Sequence, residues 1–242
     1  MIKKLIKLIF PDNYACFICG EDVFNNKHIV CDHCIKTLPY LTGKLCLHCG
    51  EPLIADGNYC KRCKGKKFLY DRAISPFKYT DEIKNLIIGL KYNNKKYNAK
   101  CLASFMADCF NATSLYADVI IPVPLCESRL KQRKYNQAEV LANEVSKHLN
   151  KKLLTNILFR VKETPSQTNL DFMERQKNLK DAFKVKGSKK PIKDKFVLLI
   201  DDVFTTGATT TECAKALKKA GAKVVYVLTA SHTVLKDKEQ EE

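Results

Sequence analysis

Four Cys-x-x-Cys pairs occupy residues 16–63 of this 242-residue chain, and they restrict its fold more than any other feature. Such a pair directs two thiolates at one tetrahedral metal centre, so two pairs complete a four-cysteine site with no open coordination position. The spacers 20–30 and 50–59 are similar in length, which favours pairing in sequence order over a cross-braced arrangement. We therefore predict two structural Zn²⁺ sites. Their ligands are Cys16, Cys19, Cys31 and Cys34 in the first and Cys46, Cys49, Cys60 and Cys63 in the second.

The metal and the other cysteines are expected to have structural roles. A small polar segment hardly folds without its metal, because about 10–16 kcal/mol of apparent binding free energy becomes folding free energy. Evenly spread pairs do not fit a thioredoxin-like redox motif, which needs one pair at the start of a helix. We expect His33 and His48, inside the knuckles, to be exposed spacers. The scattered cysteines, expected to be buried inert thiols, are Cys101, Cys109, Cys126 and Cys213.

The charge and the start of the chain limit the partners and the compartment. Lys and Arg total 42 against 26 acidic residues, a formal charge of +16, which thiolates bound to two Zn²⁺ would lower by about four. Such a charge attracts nucleic acid or anionic membrane, and a merely solvated Lys-rich surface stays open as the alternative. The opening MIKKLIKLIF predicts a short amphipathic helix that packs on its own protein, with membrane or partner docking as the alternative. It is too short for a signal peptide, and no stretch approaches 18 apolar residues, so we expect a cytoplasmic protein without a transmembrane segment.

A change of pattern divides the chain into two predicted domains, residues 1–67 and 68–242. The tract KRCKGKKF is typical of a linker. Beyond it, helical patterns in DEIKNLIIGLKY, in residues 98–111 and in YNQAEVLANEVSKHL alternate with strand-like segments. The strand-like segments are DRAISPFKY, ADVIIPVPL, KFVLLIDD and KVVYVLTA, with a loop-rich stretch at about 160–180. This alternation predicts an α/β domain with a parallel sheet covered by helices on both faces.

The segment FVLLIDDVFTTGATTTECAKAL carries the clearest chemical signal of the second domain. An apolar strand is predicted to end at Asp201 and Asp202, and a short Thr- and Gly-rich loop then opens a helix. Backbone N–H groups and the positive end of that helix would surround a phosphate, and Gly207 allows the close approach. Two acids at the carboxyl end of a parallel strand are suited to hydrogen-bonding the vicinal hydroxyls of a ribose.

This segment resembles the signature with which type I phosphoribosyltransferases bind phosphoribosyl pyrophosphate (PRPP). The resemblance implies that the acids hold the ribose hydroxyls, that the Thr-Gly loop holds the 5′-phosphate, and that Mg²⁺ bridges pyrophosphate and ribose oxygens. It implies a type I phosphoribosyltransferase-like fold behind the zinc ribbons. The PRPP-binding residues predicted in this way are Asp201, Asp202, Thr205, Thr206, Gly207, Ala208 and Thr209.

A wider pattern is similar to that of the ComF (ComFC) competence family, in which a double zinc ribbon precedes the transferase domain. The pattern comprises Lys91, the segment IPVPLCESRLKQRKYNQ and the elements around Gln167, Arg175 and Asn178. The resemblance implies that Arg129 and Arg133 line the pyrophosphate side. It also implies that the stretch from Arg160 to Arg175 is a mobile loop that could close over the pyrophosphate.

The family resemblance implies a role in natural transformation. The protein would handle incoming single-stranded DNA on the cytoplasmic side, and the inner face of the membrane is one place where it could act. The implied partners are PRPP, single-stranded DNA, and a competence helicase or components of the inner-membrane DNA channel. Tyr92 and Tyr97, interleaved with lysines in KYNNKKYNAK, would stack on bases, with burial on the helix flank as the alternative.

Two other functions stay open. One is an active phosphoribosyltransferase of nucleotide metabolism, and the other is a PRPP-sensing protein that docks partners on its zinc ribbons. Thr205 stands where purine-specific relatives place a base-contacting aspartate, so a purine substrate is not supported.

Overall fold

A computed structural model describes residues 14–23, 26–65, 68–163 and 178–234. The helix predicted within residues 1–13, and Arg175 of the predicted mobile loop, lie outside these ranges. The four ranges hold the two Cys-rich segments and an α/β unit.

The two Cys-rich segments are built on the same turn. In the first, the Cys16 amide donates to the carbonyl of Glu21 at 2.6 Å, and in the second the Cys46 amide donates to that of Glu51 at 2.7 Å. Gly20 and Gly50 follow the knuckles with φ of 83° and 77°, a conformation that only glycine adopts without strain. The first segment contains β1 (Tyr14–Ala15), β2 (Asp22–Val23) antiparallel to it, and α1 (Asp32–Thr37).

The α/β unit is organised around a parallel sheet with the strand order β3-β10-β9-β5-β6. The predicted strand in DRAISPFKY is split by Ser75 and Pro76 into β3 and β4, and both pair with β10. The other predicted strands form where the apolar runs indicated. The strands of this sheet are β3 (Arg72–Ile74), β4 (Phe77–Lys78), β5 (Val119–Pro122), β6 (Lys152–Leu153), β9 (Phe196–Phe204) and β10 (Val224–His232).

Helices cover both faces of this sheet, as the alternating pattern predicted. Leu198 and Ile200 of β9 pack on one face with side chains of three helices, whereas Val197 and Leu199 pack on the other face with the helix that follows β9. The helices on the first face are α2 (Asp81–Tyr92), α3 (Asn98–Asn111) and α5 (Gln137–Leu149), and the helix on the second is α6 (Ala208–Lys219). The fold is thus a parallel α/β sheet preceded by a double zinc ribbon.

Two smaller features lie at the edges of this core. A short helix, α4 (Glu127–Arg133), follows β5, and β7 (Leu158–Arg160) pairs antiparallel with β8 (Phe183–Val185). Within the described ranges, no helix combines the length and the apolar character that crossing a membrane requires.

Candidate functional site

The eight predicted zinc ligands form two clusters. Within each cluster the sulfur atoms all lie within 4.8 Å of one another. Two of these separations are 3.7 Å, between Cys19 and Cys31, and 3.6 Å, between Cys49 and Cys60. A tetrahedron with Zn–S bonds of about 2.3 Å has edges of about 3.8 Å, so both sets of thiols fit Zn²⁺. Pairing in sequence order is confirmed, with Cys16, Cys19, Cys31 and Cys34 in one cluster and Cys46, Cys49, Cys60 and Cys63 in the other.

One residue inside a knuckle does not fit the prediction. His33 is exposed, as expected of a spacer, but His48 is half-buried. Its ring stacks on Phe68 at 4.2 Å and on Tyr70 at 4.3 Å between ring centroids. The prediction of an exposed spacer at His48 is therefore wrong, because the second ribbon packs against the α/β unit through this ring.

The two predicted sugar-binding acids lie inside β9 rather than at its end. The strand continues to Phe204 because its neighbour β10 continues as well, with Thr229 opposite Asp201 and His232 opposite Phe204. The predicted strand end at Asp202 is therefore wrong by two residues. Both acids still lie in the carboxyl-terminal half of a central parallel strand, where ligands of such sheets bind.

Asp202 is buried, and its partner is Lys91 from the carboxyl-terminal turn of α2. The side chains of Lys91 and Asp202 form an ion pair and are 20% and 7% exposed. Burial alone would raise the pKa of Asp202, but the Lys91 ammonium outweighs burial and holds that pKa below its ordinary value. Asp202 therefore stays ionised at neutral pH.

Asp201, its neighbour, has the opposite character. Burial, and then the negative charge of Asp202, raise the pKa of Asp201 well above the ordinary value of an aspartate. Its Oδ1 accepts a hydrogen bond from the Asp202 amide at 2.9 Å. Adjacent carboxyl groups with divergent pKa values are common at functional sites, where charge is arranged for a ligand.

The predicted phosphate loop leads directly into α6. Gly207 precedes the helix with φ of 79°, and a Cβ there would come within 2.9 Å of Phe204 Cζ and 3.1 Å of Tyr70 Oη. Asp201 and the loop line a small recess of about 20 Å³. The loop residues of this recess are Thr205, Thr206, Gly207, Ala208 and Thr209. Backbone N–H groups at the start of α6 are donors suited to a phosphate.

A basic cleft of about 510 Å³ adjoins the ion pair. Its lining includes Lys91, Tyr92 and Arg133, and the charge of Arg133 contributes to the pKa shifts of both Lys91 and Asp202. The Arg133 guanidinium lies 4.7 Å from the centre of the Tyr92 ring and donates to Gln137 Oε1 at 2.9 Å. Arg133 therefore lines the same cleft as Lys91, the partner of Asp202, and its role beside a pyrophosphate stays a prediction.

The other predicted basic residues form a second group. Arg160 lies at the end of β7, with its guanidinium 5.7 Å from the centre of the Phe183 ring. Burial lowers the pKa of Arg160, and the nearby charge of Arg129 acts in the same direction. These two residues are thus close to each other, whereas Arg175 lies outside the described residues.

Comparison with known proteins gives the family. The model of the double zinc ribbon domain matches residues 5–64. Competence protein F of Haemophilus influenzae strain Rd is 33% identical over 223 residues, which are 89% of this chain and 95% of that protein. The chain belongs to the ComF family.

Another relative and a solved structure accompany this match. DNA utilization protein YhgH of Salmonella typhimurium strain LT2 is 29% identical to this ComF-family chain over 217 residues, 88% of the chain and 94% of that protein. The glutamine PRPP amidotransferase of B. subtilis is similar with a TM-score of 0.39 and 16% identity, and the match covers 58% of this chain and 30% of that one. At this TM-score the overlay carries no argument about a ligand.

Sequence reasoning missed one group of residues in this ComF chain. Glu51 and Arg62 form an ion pair beside the second zinc cluster, and Arg62 reaches Thr205 of the predicted phosphate loop. The sequence signal for this contact was a cationic residue, Arg62, between the two ligands of the last knuckle. At such a position a solvated side chain is the simplest expectation. Its loop partner lies 143 positions away, so no local pattern shows the contact.

Proposed function

We propose that this ComF-family chain binds PRPP together with Mg²⁺ at β9 and handles incoming single-stranded DNA on the cytoplasmic side during natural transformation. The relatives support the biological context, since one is named a competence protein and another a DNA utilization protein. The observation that carries the proposal is the joint position of two aspartates, a helix-capping loop and a basic cleft at one strand.

Each part of PRPP has a chemically suited partner. The 5′-phosphate would accept from the loop N–H groups at the start of α6, and the ribose hydroxyls would donate to Asp201 and Asp202. The pyrophosphate would lie toward the basic cleft, where Arg133 offers a planar fork of donors and Lys91 a compact charge. Mg²⁺, when bound, would offset part of the negative charge of the pyrophosphate.

Calorimetry with PRPP and Mg²⁺ tests this site, and Asp201→Asn is the decisive variant. At a pH above the raised pKa of Asp201, losing one hydrogen bond to its charged carboxylate costs about 1.5–3 kcal/mol, which would raise the Kd roughly 10- to 150-fold. Asp194→Asn is the matched control, because Asp194 is an exposed turn residue with φ of 58°, a conformation that Asn tolerates. Absence of PRPP uptake by the wild type, or equal affinity of the two variants, would contradict the proposal.

The same samples test turnover. Incubation with PRPP, Mg²⁺ and a panel of bases should release pyrophosphate above background only if the chain is a transferase. Binding without release supports PRPP as a ligand or regulator of DNA handling.

For DNA, the proposed contact surface is the exposed run Tyr92–Tyr97. Tyr92 is 60% exposed and Tyr97 52%, and exposed Lys95 and Lys96 lie between them. Exposed aromatic rings beside cations are suited to stacking bases while attracting the phosphate backbone. The exposure of both tyrosines supports the stacking role over burial on the helix flank.

Titration with an oligothymidylate at several salt concentrations tests the DNA surface. Removing one stacking ring costs about 1–3 kcal/mol, so Tyr92→Ala and Tyr97→Ala should each weaken binding roughly 5- to 150-fold. Tyr116→Ala is the matched control, because Tyr116 is 55% exposed and Lys151 lies 4.3 Å from its ring centre. Tyr116 precedes the amino end of β5, whereas Tyr92 follows Lys91, which pairs with Asp202 in the carboxyl-terminal half of the parallel strand β9. Affinity that does not fall with salt, or a similar loss in all three variants, would argue against this surface.

A further inference from the structure

The second zinc ribbon reaches the proposed phosphate loop through one side chain, Arg62. This residue lies between the ligands Cys60 and Cys63, so metal coordination on both sides fixes its backbone. Its Nη1 donates to the carbonyl oxygen of Thr205 at 3.3 Å, and its Nη2 pairs with the carboxylate of Glu51. One guanidinium therefore joins a zinc knuckle to the first residue of the loop.

Glu51 holds this guanidinium in place. Its side chain is 1% exposed, and its backbone carbonyl accepts a hydrogen bond from the ligand residue Cys46. Glu51 Oε2 also lies 3.7 Å from Nε2 of His232, the last residue of β10, whose ring stacks on Phe204 at 4.9 Å. A buried carboxylate is costly without a cation beside it. The ion pair with Glu51 therefore holds the Arg62 guanidinium in one position next to the second ribbon.

Arg62 reaches the loop beside a cavity that lies between the second ribbon and the α/β unit. This cavity of about 230 Å³ separates the ribbon from the loop, with Cys49 and Cys63 on the ribbon side and Phe204 and Thr206 on the loop side. Arg62 also lines this space and crosses it to Thr205. The Thr205 carbonyl thus accepts a hydrogen bond from a donor that the second zinc site positions.

The direction of the Thr205 carbonyl matters for a phosphate ligand. In a trans peptide the carbonyl oxygen and the following N–H point in opposite directions, and the chain has no cis peptide bond among its described residues. Because the Thr205 carbonyl points toward the ribbon, the Thr206 N–H points away from the ribbon. That is the side on which a phosphate bound by the loop would lie.

We infer that Arg62 is a positioning residue that couples the second four-cysteine site to ligand binding at the phosphate loop. Zinc in this site orients the Thr205–Thr206 peptide and thereby raises the affinity for PRPP, and bound PRPP raises the zinc affinity of the same site by the same factor, because the coupling free energy between two binding sites is reciprocal. The first four-cysteine site packs against α3 on the other face of the sheet and does not share this coupling. The inference rests on the proposed PRPP site.

The variant Arg62→Lys distinguishes a role of Arg62 in positioning the loop from a role in holding the fold together. A lysine supplies one compact charge for Glu51 but cannot donate to Glu51 and Thr205 with a fixed fork. We expect this variant to keep two zinc ions and a near wild-type melting temperature while its Kd for PRPP rises at least about 5-fold, the lower end of measured coupling factors. Should the lysine variant lose metal, the pair Glu51→Gln with Arg62→Met removes the buried charges together and must show the same weakened PRPP binding with two zinc ions retained.

Site-resolved zinc release is the second readout. The full zinc-loaded chain is treated with a chelator and iodoacetamide, with and without saturating PRPP and Mg²⁺, and alkylation is followed by peptide mass spectrometry. After equilibration with chelator, PRPP should raise the chelator concentration that gives half-alkylation of Cys46, Cys49, Cys60 and Cys63 at least about 5-fold in the wild type and not in Arg62→Lys. The first cluster is the internal control, because direct chelation of zinc by PRPP would change both clusters.

The outcomes separate the two proposals. If the wild type takes up no PRPP, the proposed function and this inference fail together. If it binds PRPP, but Arg62→Lys binds equally well and PRPP leaves alkylation of the second cluster unchanged, the PRPP site stands and the coupling is refuted.

Discussion

Replacing Lys91 by Met tests the buried ion pair on which the candidate site depends. The variant leaves the Asp202 carboxylate, 7% exposed, without its cation. Removing one partner of a buried pair costs about 3–5 kcal/mol, whereas replacing both partners is often nearly neutral. At about 2–4 °C per kcal/mol for a domain of this size, we expect Lys91→Met to melt roughly 6–20 °C below the wild type. Adding Asp202→Asn should recover most of that loss.

The pH dependence of the loss has a definite sign. In the wild type Lys91 lowers the pKa of Asp202, so this pair stabilises the fold above the unfolded-state pKa and its contribution disappears as pH falls through the folded-state value. Without Lys91, burial dominates and raises that pKa. When the pKa of Asp202 is higher in the folded state than in the unfolded state, the free energy of unfolding falls as pH rises from the unfolded-state pKa to the folded-state pKa. The gap in melting temperature between variant and wild type should therefore widen from pH 5 to pH 8.

Thermal melts of the wild type, both single variants and the double variant, each at pH 5 to 8, measure the loss and the coupling. Lys84→Met is the matched control, because Lys84 is on the same helix and pairs at 3.6 Å with Asp81, whose side chain is 90% exposed. Exposed pairs contribute little, so this control should melt within about 2 °C of the wild type. Equal melting of Lys91→Met and Lys84→Met, or additive losses in the double variant, would refute the reasoning.

Other measurements test the packing of the loop at Gly207, the ionisation of Asp201 and the number of bound zinc ions. Gly207→Ala should destabilise the chain by more than the roughly 1–2 kcal/mol expected for Gly187→Ala in thermal melts, because both glycines have positive φ but only at Gly207 would a Cβ meet Phe204. Equal losses would show that the loop is not packed as described. Because the pKa of Asp201 is raised, PRPP affinity measured by calorimetry should rise as pH rises through the range in which this carboxyl ionises, and Asp201→Asn should flatten part of that rise. Native mass spectrometry should find two zinc ions per chain and one after Cys46→Ala, and unchanged zinc content in that variant would contradict the second four-cysteine site.

Local patterns were sufficient to predict the zinc clusters and the order of the longer strands and helices of the α/β unit, but not its short elements α4, β6, β7 and β8. The spacing of the knuckles determines which thiols meet, because a Cys-x-x-Cys turn leaves little freedom in where its sulfurs point. The apolar run of β9 marks a strand buried on both faces by its composition alone. The end of β9 was mispredicted because a strand ends where its neighbour stops pairing, and β10 pairs as far as Phe204.

Contacts that join distant segments had no local signal. His48 and Arg62 are polar residues inside metal knuckles, and their sequence context is that of exposed spacers. They are packed because the second ribbon lies against β3, where the Ala73 amide donates to the His48 carbonyl at 2.6 Å. That docking depends on the complete sheet, so sequence periodicity within the ribbon does not reveal it.

Strand alternation explains why two adjacent aspartates differ so much. Successive side chains of β9 point to opposite faces of the sheet. Asp202 therefore points toward the α2 face, where Lys91 and the basic cleft lie, and Asp201 lines the recess of the loop that opens α6 on the other face. A sugar that contacts both carboxylates would have to lie across the carboxyl-terminal edge of the strand. PRPP bound as proposed would then direct its 5′-phosphate to one face and its pyrophosphate to the other, each toward the donors that the chain provides there.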